Sequence, residues 1–135
     1  MKALFVDTGA WVALRYKRDQ HHERARELLV RARSERVELI TSEWILAESV
    51  TLLKARGAVD HAIALGAALM DGSIGRLIEP NTARRTRAWQ LFVRHRDRRV
   101  GYVDCTSFAI MEELRLRTAF GFDRDFVAAG FSLYG

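Results

Sequence analysis

The stretch that decides the fold is ALFVDTGAWVAL, residues 3–14. Its first four residues are apolar and predict a β-strand, and the residues from Thr8 onward predict a short helix. Asp7 stands between the two, at the end of the strand. Because short strands alternate with helices along the rest of the chain, we expect a parallel sheet covered on both faces, an α/β sandwich.

Periodicity and capping residues predict the other elements. Ser42 is a suitable N-cap, Gly57 a helix stop, and Pro80 the end of a strand. The further predicted strands are 37–41, 76–79, 118–122 and 131–134, and the further helices are 23–33, 43–56, 61–70, 82–98, 104–117 and a turn at 124–129. Ligands of such sheets bind at the carboxyl ends of strands, where Asp7 and Asp123 are predicted to lie.

The length of 135 residues predicts a single domain over residues 1–135 with a full hydrophobic core. An apolar fraction of 49% and a mean hydropathy of -0.11 are typical of a globular protein in water. The sequence has no long apolar run and no secretory signal, so we expect no membrane contact. The single Cys105 excludes an internal disulfide, favours a reducing cytoplasm, and is expected to be a buried rather than a catalytic thiol.

Positive charge is concentrated in one segment. The net charge is +5, yet residues 84–99 carry seven Arg against one Asp, so the remaining residues sum to -1. Trp89 and Phe92 lie among these arginines, and cations interleaved with aromatic rings favour contact with RNA or DNA. The alternative is a solvated helix face whose aromatic side chains lie in the core. The candidate RNA-binding residues are Arg84, Arg85, Arg87, Arg94, Arg96, Arg98 and Arg99.

Four carboxylates are predicted at the edges of helices and strands. Asp7 and Asp123 each follow an apolar run, Asp104 precedes a helical stretch, and Glu48 lies in a helical row with Trp44. A carboxylate beside apolar surface is costly unless something neutralises it. A hard divalent cation would do so, and a cation in an acidic pocket suits phosphodiester chemistry. The pattern therefore indicates a metal-dependent nuclease.

Each acid also has a structural interpretation. Asp104 and Asp123 are suitable helix N-caps, Asp7 could hold a turn, and Glu48 could pair with an arginine across a helix interface. Taken together the acids favour the metal site, because four carboxylates at one edge of a sheet repel one another without a cation.

Other sites that use strand-terminal acids or histidines do not fit. A phosphatase of the haloacid dehalogenase type needs an Asp two residues after the first one, where this chain has Gly9. The glycine patterns of dinucleotide and P-loop sites do not occur. The histidines do not have the spacing of zinc ligands; they are His21, His22, His61 and His95.

Four segments resemble the PIN domain, and among PIN domains the VapC-type toxin ribonucleases of bacterial toxin–antitoxin pairs. The segments are 5–11, 47–48, 103–111 and 122–131. The resemblance implies a three-layer α/β/α domain with a short-stranded parallel sheet, which holds Mg²⁺ or Mn²⁺ and cleaves RNA through a metal-activated water. It also implies a homodimer and a small antitoxin protein that covers the pocket.

The resemblance also implies roles for individual residues. Asp7 and Asp104 would bind the metal directly, Glu48 directly or through water, and Asp123 would complete the site. The hydroxyl groups of Thr8, Thr106 and Ser107 would orient the carboxylate oxygens that bind the metal.

Two positions depart from the family pattern near its last acid. Gly121 replaces a small hydroxyl residue, and Asp125 replaces a frequent His and adds negative charge near the pocket. Two alternatives to the toxin stay open. One is a non-catalytic PIN module that binds RNA or a partner, and the other is an RNA-processing nuclease outside a toxin–antitoxin system.

Overall fold

The structure, a computed structural model, describes residues 2–135. Its strands form one parallel sheet in the order β3-β2-β1-β4-β5. In chain order the elements are β1 (Ala3–Val6), α1 (Thr8–Arg15), α2 (His22–Ser34), β2 (Glu38–Ser42), α3 (Glu43–Ala55), α4 (Val59–Met70), β3 (Arg76–Ile78), α5 (Thr82–Arg94), α6 (Tyr102–Leu114), β4 (Thr118–Phe120), α7 (Asp125–Ala128) and β5 (Ser132–Leu133). Within residues 2–135 no helix is long and apolar enough to cross a membrane.

Strand β1 lies at the centre of the sheet and is buried on both faces. Leu4, Phe5 and Val6 are 3%, 0% and 0% exposed. Because consecutive side chains of a strand point to opposite faces, both faces of the sheet must be covered at this strand. The predicted α/β sandwich is therefore confirmed.

The strand order creates a crevice beside β1. Strands β2 and β3 follow on one side of β1, whereas β4 and β5 lie on the other side. Phe5 of β1 accordingly pairs with Ile40 of β2 and with Ala119 of β4. In sheets of this kind, the crevice forms outside the carboxyl ends of the strands where the order reverses. The loops that follow β1 and β4 therefore meet at this crevice.

Local capping explains where several helices begin and end. The Ser42 hydroxyl accepts a hydrogen bond of 3.1 Å from the Ile45 amide at the start of α3, as predicted. The Asn81 side chain accepts one of 2.8 Å from the Arg84 amide at the start of α5. Gly57, just after α3, has a φ of +80°, a left-handed conformation that glycine adopts without strain.

Several predicted boundaries differ from the structure, and three of them are informative. Helix α5 ends at Arg94 and not near Arg98, because the four arginines between 94 and 99 repel one another within about one helical turn. Helix α6 begins at Tyr102, so Asp104 is its third residue and not its N-cap. Strand β4 ends at Phe120 and not at Phe122. The Phe120 carbonyl accepts the last hydrogen bond of the strand, from the amide of Asp7 just after β1.

A candidate metal centre at the carboxyl edge of the sheet

Asp7 lies at the junction of β1 and α1, in the crevice beside β4. Its amide donates a 2.9 Å hydrogen bond to the Phe120 carbonyl, and its own carbonyl accepts from the Ala10 and Trp11 amides at 3.1 and 3.2 Å. The backbone is thus held on both sides, while the side chain makes no capping hydrogen bond. The residue is only 7% exposed, and it forms no ion pair with any other residue in the described part of the chain.

The surroundings of Asp7 disfavour its charged form. Burial raises the pKa of Asp7 to about 7, because the carboxylate loses the water that stabilises its charge. The Thr8 backbone amide opposes this rise in the pKa, and the negative charges of Asp104, Glu48 and Asp123 add to it. The four acids predicted from the sequence are therefore close enough to interact electrostatically.

Asp104 projects from the first turn of α6. Its Oδ2 atom accepts a 3.3 Å hydrogen bond from the Gly101 amide, which fixes the carboxylate at the helix N-terminus. Partial burial raises the pKa of Asp104 to about 6, and the carboxylates of Asp123, Glu48 and Asp125 contribute to the rise. A helix N-terminus favours an anion, so it is burial and the other acids that raise this pKa.

Asp123 and Asp125 lie on the turn that joins β4 to α7. The Asp123 Oδ1 atom accepts a 2.8 Å hydrogen bond from the Asp125 amide, a turn that holds both side chains on the same side. Asp104, Asp123 and Asp125 each offer a carboxylate oxygen within 4.8 Å of the others. Sequence reasoning noted Asp125 only as an added charge, and the signal it missed was the short spacing from Asp123 within a tight turn.

Glu48 joins the pocket from α3. It is exposed, and its Oε1 atom accepts a 2.6 Å hydrogen bond from the Thr8 hydroxyl. Thr8 therefore contacts a carboxylate of the predicted set, and its role in orienting metal ligands stays a prediction. The alternative of an ion pair with arginine is not found within residues 2–135. Glu48 and Asp7 do not belong to the set of three acids whose oxygens all lie within 4.8 Å of one another, but the charges of Glu48 and Asp104 both act on Asp7.

Gly121 gives Asp7 the room it occupies. A Cβ atom placed at Gly121 would lie 3.0 Å from the Asp7 Cβ atom and 3.5 Å from its Oδ2 atom. The first distance is shorter than ordinary carbon–carbon contacts, so any larger residue at this position would push the Asp7 side chain or the β4 backbone aside. The replacement of a hydroxyl residue by glycine thus changes the packing around this carboxylate as well as its hydrogen bonding.

The hydroxyl groups of Thr106 and Ser107 do not orient the site acids, contrary to the prediction. Both donate to the Val103 carbonyl within α6, at 3.3 Å in the case of Ser107. Both side chains are completely buried, and bonding to a carbonyl one turn earlier satisfies a buried hydroxyl in a helix.

The arginines of residues 84–99 divide into two groups. Arg84 pairs with Glu113 at 2.9 Å, and Arg87 pairs with Glu112 at 3.1 Å. These two arginines pair with acids of α6, which counts against the prediction that they bind RNA. The others form no ion pair within residues 2–135; they are Arg85, Arg94, Arg96, Arg98 and Arg99.

The carboxylate pocket suits a hard divalent cation. It is formed by Asp7, Glu48, Asp104, Asp123 and Asp125. Its donors are carboxylate oxygens, the ligands that Mg²⁺ and Mn²⁺ prefer. One of these carboxylates is nearly fully buried without a cationic partner. A bound cation would offset the burial of that charge and the repulsion among the acids. Carboxylate donors with no protein cation beside them therefore fit a metal centre.

Comparison with known proteins places this pocket in a family context. The PIN domain family matches residues 4–132 of the chain. The chain is 37% identical over 128 residues to the 23S rRNA-specific endonuclease VapC20 of Mycobacterium tuberculosis, with 95% of each chain covered. The crystal structure of that Sarcin-Ricin loop cleaving toxin superimposes with a TM-score of 0.86 at 36% identity over 95% of both chains. The structure of VapBC-1 from nontypeable Haemophilus influenzae has the same fold, with a TM-score of 0.67 at 12% identity over 97% of this chain and 96% of that one.

Proposed function

This chain belongs to the PIN domain family, and on that premise we propose that it is a divalent-metal-dependent endoribonuclease, the toxin of a toxin–antitoxin pair. The observation that carries the proposal is the carboxylate pocket beside β1, in which Asp7 and Asp104 have raised pKa values and the acids have no cationic partner in the described residues. A non-catalytic module would have no need to keep such an unfavourable set of charges.

We assign the metal site to the residues of this pocket. Asp7 and Asp104 would bind Mg²⁺ or Mn²⁺ directly, because they combine partial or full burial with a fixed backbone. Glu48, held by Thr8, and Asp123, held by the Asp125 amide, would complete the set directly or through water. When bound, the cation supplies positive charge at the phosphate and lowers the pKa of water.

Besides holding the cation, the protein must bind and orient the RNA. The arginines without acidic partners would bind the phosphate backbone, in a manner sensitive to salt and largely independent of sequence. Because the 37%-identical relative is named as a 23S rRNA-specific endonuclease, we propose ribosomal RNA as the substrate class of this chain. The sarcin–ricin loop is the first RNA to test, since the crystallised relative is described as cleaving it.

A small antitoxin is the proposed protein partner. Solved structures with the same fold include VapBC-1 and FitAcB of Neisseria gonorrhoeae, the latter with a TM-score of 0.60 at 19% identity. Between α3 and α4 the chain has an apolar groove whose rim residues Ile63 and Met70 are 66% and 71% exposed. Exposed apolar patches mark interaction sites, and an amphipathic antitoxin helix fits this groove. Substitution of Ile63 by Asp should weaken binding of the proposed antitoxin and leave RNA cleavage intact.

We also propose that the chain acts as a homodimer and forms a single domain, as the family resemblance implies. Light scattering of the purified protein gives its mass in solution and tests the homodimer. A monomer that still cleaves RNA would exclude the dimer and leave the nuclease proposal in place.

The deciding experiment incubates the purified chain with a sarcin–ricin loop RNA and with unrelated structured RNAs. Reactions contain Mg²⁺, Mn²⁺ or EDTA, and the products are mapped to the nucleotide. We expect cleavage with either metal and none with EDTA. Glu113→Gln is the matched control, because it removes a carboxylate from α6 far from Asp104. Cleavage that persists in EDTA, or no cleavage with any metal, would overturn the proposal.

A further inference from the structure

An exposed aromatic cluster lies at the end of α5 that is nearer Asp104. It consists of Trp89, Phe92 and Tyr102. The ring centroid of Trp89 lies 5.4 Å from that of Phe92 and 6.3 Å from that of Tyr102, and the Phe92 and Tyr102 rings meet edge to face at 6.1 Å. Phe92 and Tyr102 are half-buried and pack against the core, whereas Trp89 is 57% exposed.

The antiparallel packing of α5 and α6 places this cluster near the metal centre. Arg84, near the start of α5, pairs with Glu113 at the end of α6, whereas Trp89 contacts Tyr102 at the start of α6. Tyr102 precedes Asp104 by two residues in the same helical turn. The exposed indole therefore lies beside the N-terminal end of α6, the end that carries Asp104.

Trp89 does not serve the core, as a comparison with Trp11 shows. Trp11 is 3% exposed, and its indole nitrogen donates a 3.2 Å hydrogen bond to the Thr41 hydroxyl. Trp89 has no hydrogen-bond partner for its indole within residues 2–135, and more than half of its surface faces water. An aromatic ring of this size is costly to expose, which indicates a ligand with a flat face.

The positive charge around Trp89 favours RNA over a second copy of the chain as the ligand. The last residue of α5 and the segment after it carry four arginines without ion pairs in the described residues, at 94, 96, 98 and 99, against the single Asp97. A second copy of the chain would bring the same positive charge to this surface and be repelled. An RNA strand brings phosphates for the arginines and bases for the indole. Base stacking on an aromatic side chain beside a basic track is how single-stranded RNA is commonly held.

We propose that Trp89, supported by Phe92 and Tyr102, forms a stacking site for an unpaired nucleobase of the RNA, at the end of α6 that carries Asp104. The proposal rests on the proposed ribonuclease function and adds a specificity determinant to it. A base held on Trp89 must be flipped out of any helix, so the enzyme would favour cleavage beside loops or bulges over cleavage within duplexes.

The test is an RNA-binding measurement in an Asp7→Asn background, which prevents cleavage. A loop RNA is compared with versions of it that each carry one abasic nucleotide, placed in turn at every position of the loop. We expect Trp89→Leu to weaken binding of the intact RNA by about tenfold or more. We expect Trp89→Phe to retain most of the affinity, because it keeps an aromatic face. Val93→Ala, which trims a 43% exposed residue of the same helix, should bind RNA as the unaltered background does.

The abasic RNAs show whether the indole contacts a base. At one position of the loop, loss of the base should weaken RNA binding to the background protein, which keeps Trp89. The same loss should leave RNA binding to Trp89→Leu nearly unchanged, because both changes remove the same contact. Equal losses at every position in both proteins would overturn the proposal. So would intact affinity in Trp89→Leu, or a change in molecular mass showing that this surface joins two copies of the chain.

The proposal and the nuclease function fail in different ways. If wild-type protein cleaves RNA with Mn²⁺ but Trp89→Leu binds normally, only the stacking site is wrong. If no RNA is cleaved but the abasic pattern appears, the chain binds an unpaired base without being a nuclease. The melting temperature of Trp89→Leu should equal that of its background, since the residue lies outside the core.

Discussion

Helix α6 carries acids at both of its ends, but only the acids at its C-terminal end pair with arginines. At the C-terminal end, Arg84 and Arg87 pair with Glu113 and Glu112, and the hydrogen bond from Arg84 lowers the pKa of Glu113. At the N-terminal end, Asp104 has no arginine, and burial together with other acids raises its pKa to about 6. The chain therefore neutralises the acids at the C-terminal end of α6, here called the balanced end. The acids at the N-terminal end, the unbalanced end, have no cationic partner within residues 2–135.

The difference is not caused by a shortage of cations. The chain has 22 Lys and Arg against 17 Asp and Glu, and several arginines lie just before α6 without acidic partners. Repulsion among acids lowers the stability of the folded state, and such costs persist where function needs them. The unbalanced end of α6 is therefore the end where a cation from solution is expected to bind.

The largest expected effect concerns cleavage. Asp7→Asn and Asp104→Asn should each lower metal-dependent cleavage by more than about a hundredfold, because loss of a residue that only supports a metal ligand already costs up to that much. Glu113→Gln, the same chemical change at the balanced end, should cleave at the wild-type rate. Initial rates on one RNA at matched metal concentration provide the measurement. Similar losses in all three variants would remove the distinction between the two ends.

The next effect is on the pH dependence of stability in EDTA. The pKa of Asp7 rises from 3.8 to about 7 in the folded state, so folding favours its protonated form. This contribution to stability is complete below pH 3.8 and is lost as the pH rises through 7. The free energy of unfolding should therefore fall between pH 5 and 8, by roughly 3 kcal/mol at most.

Asp7→Asn should flatten this decline, because the amide does not titrate. At pH 8 it should also be more stable than the wild-type protein in EDTA. Urea unfolding at several pH values measures both. A wild-type protein that is equally stable at pH 5 and 8, with the variant following the same curve, would contradict the electrostatic argument.

A smaller effect separates the arginines at the two ends of the α5–α6 pair. Replacing Arg98 and Arg99 by Gln should weaken RNA binding and reduce the slope of log affinity against log salt by about one unit for each lost phosphate contact. Replacing Arg84 and Arg87 by Gln should leave the slope unchanged, since both are held by glutamates. Binding titrations at several salt concentrations, in an Asp7→Asn background, compare the two double variants. Equal slopes for the two double variants would mean that RNA contacts the arginines at both ends of the α5–α6 pair.

The smallest effect is on the stability of the balanced end. Arg84→Gln should lower the free energy of unfolding by about 1 kcal/mol or less, because the pair with the partly exposed Glu113 is screened by water. Thermal unfolding of this variant at low and high salt measures the loss. A loss several times larger would mean that the pair holds the α5–α6 packing together.

Local sequence signals predicted the fold well, because burial and capping act over a few residues. Strand β1 lies where its apolar run predicts, and Ser42 caps α3 as expected. The position of Asp7 at a strand end followed from the same run. Helix α5 was predicted too long, because its periodicity gave no weight to repulsion among the arginines after Arg94.

Features that depend on contacts between distant segments could not be predicted in the same way. The pairing of Arg84 with Glu113 requires the antiparallel packing of α5 on α6, which no local pattern encodes. The grouping of Asp125 with Asp104 depends on a tight turn after β4. Arg84 and Arg87 were therefore assigned to RNA without their glutamate partners being foreseen, and Asp125 was not assigned to the candidate site.

The central claim is that the unbalanced end of α6 binds a divalent cation. Calorimetric titration of Mn²⁺ at pH 8 tests it most directly, with the wild-type protein, Asp104→Asn and Glu113→Gln compared under the same conditions. We predict saturable binding to the wild-type protein and to Glu113→Gln, and loss of that binding in Asp104→Asn. Equal binding to all three proteins, or none to the wild-type protein, would contradict the claim.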